Sequence, residues 1–371
     1  MKDLRVIISG GGTGGHIFPA ISIANTIKER YPDAKILFVG AQGRMEMEKI
    51  PAAGYEIIGL DVAGLNRKNI FRNFSTIRKF LKSLKKAKEV LKDFNPDVVV
   101  GVGGYVSGSV LYKANQMNIP TLIQEQNSYA GITNKYLSKK ASTICVAYEE
   151  MERFFPKEKI VITGNPYRQE LLSPLLTKEE AYAEFNLDPA KKTILVIGGS
   201  LGSRTLNKSI FSAMDTIAAS DIQILWQCGK LYAFEMNMDF ASKGSPANIH
   251  IHEFITRMDL AYKAADLVIS RAGASSISEL SLLGKPSILV PSPNVSEDHQ
   301  TKNSLALVKK DATILIKDDE AMGKLIPTAL EIINDENKLK SLSENIIKMA
   351  HPDATDKIVD EVIKLVKKQN G

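Results

Sequence analysis

Arg5-Val6-Ile7-Ile8-Ser9-Gly10-Gly11-Gly12-Thr13-Gly14-Gly15-His16 is the stretch from which the architecture can be read. An apolar, β-type run stops at five glycines, and a helix-period pattern (Ile17, Ala20, Ile21, Ala24, Ile27) begins directly after them. This describes a strand, a tight turn and a helix N-terminus. Glycine admits the positive φ such a turn needs and lets a ligand approach the backbone. Unpaired N–H groups at the helix start favour an anion, most often a phosphate. His16 adds a titratable ring in the first helical turn.

The same alternation continues along the chain. Strands are expected at 5–9, 35–39, 55–60, 97–102, 121–124, 143–146 and 160–163, and then at 193–197, 222–227, 249–253, 267–270, 287–290 and 313–316. Helical patterns fill most gaps, which argues for parallel sheets covered on both faces. Each series opens on a glycine-rich turn, so the fold class is α/β with two Rossmann-like, doubly wound domains. Gly164-Asn165-Pro166 breaks both patterns and divides the chain into 1–165 and 166–345, with a helical tail at 346–371. Open sheets of this kind bind ligands at the carboxyl ends of their strands, so the ligand is expected in a cleft between the domains.

Composition narrows the class. The chain has 371 residues, 44% apolar and 24% charged, which suits a folded protein of two domains. Cys145 and Cys228 are its only cysteines, too few for a disulfide scaffold or a cysteine-rich metal site. The first strand follows Met1 almost at once, so no secretion signal is expected ahead of it. No apolar run approaches the roughly 18 residues of a membrane span. Residues 1–165 hold 24 Lys+Arg against 15 Asp+Glu, a net of +9, while the remainder holds 24 against 27, a net of −3. The basic half is expected to meet an anionic surface.

Within that half, Arg67 to Lys92 carries ten basic residues and one acid, Glu89, with Phe71, Phe74, Ile77, Leu81, Leu84 and Leu91 at helical spacing. Its later turns read as an ordinary packed helix with solvated lysines. Its start, with Arg67, Lys68, Phe71 and Phe74, reads as a contact for an anionic membrane. No recognition motif or aromatic platform points to nucleic acid.

The first turn formally contains G-x-G-x-x-G, but a dinucleotide site also needs an acid ending the second strand. That strand ends Phe38-Val39-Gly40-Ala41-Gln42, so neither NAD nor FAD is expected. The second turn is Gly198-Gly199-Ser200-Leu201-Gly202, with Ser200 placed to meet a phosphate at a helix N-terminus. A third loop, Ser270-Arg271-Ala272-Gly273-Ala274-Ser275-Ser276, opens a helix carrying Glu279, which is either a solvated charge or an acceptor for a ribose diol. Gly103-Gly104-Tyr105 and Gln124-Glu125-Gln126-Asn127 follow strands of the first half, and Glu125 is a candidate base or a structural carboxylate. His250, His252 and His299 lack the spacing of metal ligands, so neither a metal nor another cofactor is expected.

These motifs in this order resemble the MurG family. The matching segments are 11–19, 103–108, 125–127 with 133–135, 164–168, 198–202 and 270–279, extended by His299-Gln300. Family members transfer N-acetylglucosamine to undecaprenyl-diphospho-muramoyl-pentapeptide (lipid I) and so make lipid II in peptidoglycan synthesis. The resemblance implies a GT-B fold with UDP-N-acetylglucosamine held by the second domain and a last helix that crosses back to the first. It places Ile255 at uracil through its backbone, Glu279 at the ribose, Ser200 at a phosphate, Gln300 at the sugar and Arg168 near the nucleotide, with Ala274, Ser275 and Ser276 also at the donor. Thr13, Gly14, Gly15 and Asn127 are assigned to the donor from the first domain. Gly12, His16 and Tyr105 are assigned to the acceptor diphosphate. His16 and Glu125 are the candidates for the base or its supporting group. A peripheral position on the cytoplasmic face of the cell membrane, and a cell-wall synthesis complex as partner, follow from the same resemblance. Many members carry His where this chain has Gln124, and Gln carries no proton near neutral pH. Other readings are a GT-B transferase with another acceptor, a GT-B epimerase, or a sugar-nucleotide sensor.

Overall fold

The computed structural model describes residues 3–62, 73–173 and 175–370, apart from the side chains of 73–77, 170, 296 and 370. Arg67, Lys68 and Phe71 lie outside the described residues, and only the helical placement of Phe74 lies within them. By its internal contacts the chain forms two units, Met1–Arg168 with His351–Gly371, and Gln169–Ala350.

The first unit is built on a parallel sheet of β1 (Arg5–Gly10), β2 (Lys35–Ala41), β3 (Glu56–Leu60), β4 (Val98–Gly103), β5 (Thr121–Glu125), β6 (Thr143–Val146) and β7 (Ile160–Ile162). The strand order is β3-β2-β1-β4-β5-β6-β7. Alternate side chains feed opposite layers. Val6, Ile8, Val98, Val100 and Val102 pack on one face, and Ile7, Val99, Ile123 and Ile144 on the other. Such double burial explains why Val98-Val99-Val100 is uniformly apolar. The chain reverses direction of travel across the sheet between β1 and β4, where Gly10 pairs with Gly103 after a register shift.

The last helix, Ala354–Asn370, adds Ile358, Val359, Val362, Ile363 and Val366 to the layer under β1 and β4. Arg30 donates to Asp360 at 2.6 Å on its outer side. The Tyr167 hydroxyl donates to the Pro352 carbonyl, and Gly164 at φ 84° packs against His351. These contacts draw residues 166–168 into the first unit, a few residues past the Gly-Asn-Pro break.

The second unit repeats the plan with β8 (Lys192–Ile197), β9 (Ile222–Gln227), β10 (Ile249–His252), β11 (Leu267–Ser270), β12 (Ser287–Leu289) and β13 (Ile314–Leu315). Its order is β10-β9-β8-β11-β12-β13, all parallel. Here the reversal falls between β8 and β11. Crevices at such reversals are the usual ligand sites of open α/β sheets. They single out the turns after β1 and β4 in one unit, and after β8 and β11 in the other. No helix among the described residues is long and apolar enough to cross a membrane.

Candidate functional site

The turn after β1 runs into the helix Gly14–Arg30, whose N-cap Thr13 makes no side-chain cap and whose first turn carries no acid. The neighbouring helix, Tyr105–Gln116, starts from Gly104 with the same two features. Two helix N-termini with uncapped amides therefore stand at adjacent strand ends, a favourable setting for phosphate. Gly12 and Thr13 are exposed, Gly14 and Gly15 are half-buried, and Tyr105 keeps 58% of its surface in solvent.

His16 is half-buried between these helix starts. Its Nδ1 lies 3.0 Å from the Gly11 carbonyl. A carbonyl only accepts, so Nδ1 carries the proton in the neutral ring and the lone pair resides on Nε2. Gly103, at φ 106°, is required here, because a Cβ would lie 2.7 Å from the imidazole.

The acid missing from the end of β2 turns up five residues later and in another role. Glu46 opens the helix Glu46–Ala52 and is fully buried. Its Oε1 accepts from Ala41 N at 2.9 Å and its Oε2 from Gly12 N at 3.0 Å. One amide of the first turn is thus already occupied by an internal carboxylate rather than open to a ligand. Glu46 is not legible as a site residue on its own, although Gly11 and Gly40, both without room for a Cβ beside it, are its trace in the sequence.

Glu125 is buried at the end of β5. Its Oε1 accepts from the backbone and side-chain nitrogens of Asn127 at 3.1 and 3.3 Å, and its Oε2 from Gly131 N at 3.0 Å and Asn134 Nδ2 at 2.9 Å. Four donors on two oxygens make it the organiser of the loop that carries Asn127. Gln124 is fully buried and donates to Asn165 Oδ1 at 2.9 Å, and Asn165 donates to the Gln126 carbonyl at 3.0 Å. Gln124 therefore works as a hydrogen-bonding strut between two motifs. Arg168 rests over the Phe18 ring at 5.9 Å.

In the second unit, the turn after β8 closes with Gly202 N donating to Gly199 O at 3.0 Å. The helix begins only at Arg204, capped by Ser203. Ser200 is thus exposed on a turn four residues ahead of the helix rather than at its N-terminus, because Gly202 at φ 86° continues the turn. Gln227, which the motif reading passed over, joins this turn to the next. Its Nε2 donates to Gly199 O at 3.1 Å and its Oε1 accepts from Ile255 N at 2.8 Å. What the Ile255 backbone offers a ligand is then its carbonyl.

The helix Ala274–Leu282 starts from Gly273 with no side-chain cap and no acid in its first turn. Ser275 Oγ is shielded from solvent and has no hydrogen-bond partner among the described residues. Glu279 is 7% exposed, which removes the solvated-charge reading. The buried Tyr262 hydroxyl donates to its Oε2 at 3.0 Å, a second partner that sequence alone did not reveal. Arg271 donates from Nε to Ser203 Oγ at 2.9 Å and from Nη1 to the Val290 and Pro291 carbonyls at 3.0 and 3.1 Å, and pairs with Asp318. It fixes the loops after β8, β11 and β12 to one another. Gln300 accepts from Ser292 N at 2.8 Å through Oε1, leaving its amide group as the donor for a ligand. Before it, Glu297 and Asp298 stand at φ 57° and 52°, left-handed backbone of the kind held at binding loops.

The two doubly wound sheets, each with an amide-rich turn at its reversal, have the GT-B architecture of two-domain glycosyltransferases. The glycosyltransferase family 28 N-terminal domain matches residues 6–146, and the family 28 C-terminal domain matches residues 193–358. The UDP-N-acetylglucosamine–N-acetylmuramyl-(pentapeptide) pyrophosphoryl-undecaprenol N-acetylglucosamine transferase of Parabacteroides distasonis is 59% identical over 370 residues, covering 100% of both chains. The protein of that name from Phocaeicola vulgatus is 57% identical and covers 100% of this chain and 99% of its own. The crystal structure of Acinetobacter baumannii MurG superimposes with a TM-score of 0.75 at 30% identity, over 97% of this chain and 99% of that one. The chain belongs to the MurG family of glycosyltransferases.

Proposed function

We propose that this protein moves N-acetylglucosamine from UDP-N-acetylglucosamine to the C4 hydroxyl of undecaprenyl-diphospho-N-acetylmuramoyl-pentapeptide, inverting the anomeric carbon and forming lipid II. The observation that carries the proposal is the full-length 59% identity to a transferase named for this reaction. The buried Glu279 beside an uncapped helix start supports it on the donor side.

The second unit holds the donor. Glu279, oriented by Tyr262, accepts from the ribose diol, and the Ile255 carbonyl accepts from uracil. Ser200 and the amides of 274–276 receive the diphosphate, and the Gln300 amide donates to a sugar hydroxyl. Positive stabilisation of the leaving diphosphate comes from main-chain N–H groups aimed where charge develops. The first unit binds the acceptor diphosphate at the helix starts after Thr13 and Gly104. His16 Nε2 takes the proton of the acceptor hydroxyl as the oxygen bonds to the anomeric carbon. The bond from that carbon to the donor phosphate oxygen breaks, and UDP leaves with its electron pair. Glu125 supports the step by fixing its loop.

In sequence, Arg67, Lys68, Phe71 and Phe74 support a peripheral position on the cytoplasmic face of an anionic membrane, beside other cell-wall enzymes. Replacement of Arg67, Lys68, Phe71 and Phe74 is then expected to reduce binding to anionic liposomes, and unchanged binding contradicts that placement. For the reaction itself, purified protein is incubated with UDP-N-acetylglucosamine and a short-chain lipid I analogue. The β(1→4) disaccharide product is expected, and its absence rejects the proposal.

A further inference from the structure

Glu46 and His16 hold opposite ends of one peptide group. The Gly12 N–H donates to Glu46 Oε2 at 3.0 Å. The carbonyl of that same peptide, Gly11 O, faces His16 Nδ1 at 3.0 Å. In a trans peptide the N–H and C=O point in opposite directions, so carboxylate, peptide and imidazole form one line of hydrogen bonds. Hydrogen bonds in series polarise one another, and an ionised acceptor at one end strengthens the chain.

We propose that Glu46 is a positioning residue that orients His16 and raises its basicity through the Gly11–Gly12 peptide. The arrangement does the work of a carboxylate bound directly to imidazole, with a peptide group inserted between them. Negative charge on Glu46 makes Gly11 O a better acceptor. That holds the Nδ1–H tautomer, keeps the lone pair on Nε2 and stabilises the imidazolium formed when the acceptor hydroxyl gives up its proton.

Several sequence features that look ligand-directed acquire a reason from this line. Gly11 leaves room for the Glu46 carboxylate, and Gly40 for its methylenes, since a Cβ at Gly40 would lie 2.7 Å from Glu46 Cγ. Gly104, at φ 87°, would carry a Cβ 2.6 Å from Gly11 O, and one on Gly103 would lie 2.7 Å from His16. The glycine pair after β4 thus clears space around the carbonyl and ring as well as starting a helix. Thr13 Oγ1 also lies 3.4 Å from Nδ1. Of the titratable groups at the neighbouring strand ends, Tyr105 is exposed and Glu125 is engaged by its own loop. Glu46 is the carboxylate connected to the ring through this peptide.

The inference rests on His16 as the acceptor's base, and its test separates the two. The variant Glu46→Gln keeps one acceptor and removes the charge. In the folded variant, nitrogen NMR is expected to show the His16 titration lowered by about half a unit or more. The acid limb of kcat/KM moves to lower pH with it, kcat falls about tenfold, and UDP affinity, a property of the second unit, stays the same. A titration and acid limb that do not move overturn the relay, while a wild-type rate in His16→Ala overturns the role of His16 itself. Should Glu46→Gln fail to fold, the ring nitrogens of the wild-type protein decide the matter. Protonation on Nδ1 supports the relay, and protonation on Nε2 contradicts it.

Discussion

The glycine turn after β1 and the glycine turn after β8 occupy the same place in two copies of one plan, yet they are filled differently. In the first unit the turn encloses an anion of its own, with Glu46 on the Gly12 amide and His16 on the adjoining carbonyl. In the second unit the turn is fastened by Gln227 on the Gly199 carbonyl and by Ser203 at the helix cap, itself held by Arg271. Its acid, Glu279, sits a loop away on another helix, held by Tyr262. A glycine-rich turn therefore reports a place where backbone groups are reachable, and the surrounding side chains determine whether they meet a substrate or the protein itself. On the proposed function, the first unit builds a base, and the second keeps its amides for a nucleotide.

The sharpest way to break this division is His16→Ala. Loss of the base is expected to lower kcat by about a hundredfold to ten-thousandfold while UDP affinity by calorimetry is unchanged. A parallel loss of UDP binding would place His16 with the donor and dissolve the contrast between the units. Glu279→Ala has the opposite signature. Removing hydrogen bonds from a buried carboxylate to a diol is expected to weaken UDP binding by about tenfold to a hundredfold. Unchanged UDP affinity would leave Glu279 without a ligand.

A smaller effect comes from histidines remote from the proposed chemistry. Burial lowers His250 and His252 in the second unit below 6.5, helped at His250 by the charge of His252 and opposed at His252 by Glu184. Burial and then Lys357 lower His351 in the first unit, against Asp353 and Glu149. A ring that resists protonation when folded is protonated more readily when unfolded. Its contribution to stability is complete above about 6.5 and is lost as pH falls from there through the folded value. The second unit, with two such rings, is expected to lose more amide-exchange protection than the first between pH 7 and 5. A greater loss in the first unit would show that other groups govern that range.

Much of the fold was legible because its signals are local. Apolar runs such as Val98-Val99-Val100 are stopped by glycine, and the sheets show a strand in every expected stretch. The turn after β8 was legible as a turn, but the start of its helix was not. Gly202 and the Ser203 cap set that boundary four residues beyond Ser200, and caps are matters of a few hydrogen bonds. Glu46, Gln227 and Tyr262 were harder still. A Glu early in a short helix, a Gln ending a strand and a Tyr within a helix are ordinary residues in sequence, and their importance comes from partners 28 residues (Gln227 to Gly199), 34 residues (Glu46 to Gly12) and 17 residues (Tyr262 to Glu279) away. Glu125 shows the converse. Its motif was visible, but only the four donors around it identify it as the organiser of its loop.

The contrast between the two turns is tested most directly by titrating UDP into the isotope-labelled full chain and following backbone amide shifts. The largest shifts are expected at residues 199–202 and 273–276, with the amide of Gly12, already given to Glu46, among the least affected of the glycine turns. Largest shifts at residues 10–15 would mean that the nucleotide belongs to the first unit, and the division of labour described here would be wrong.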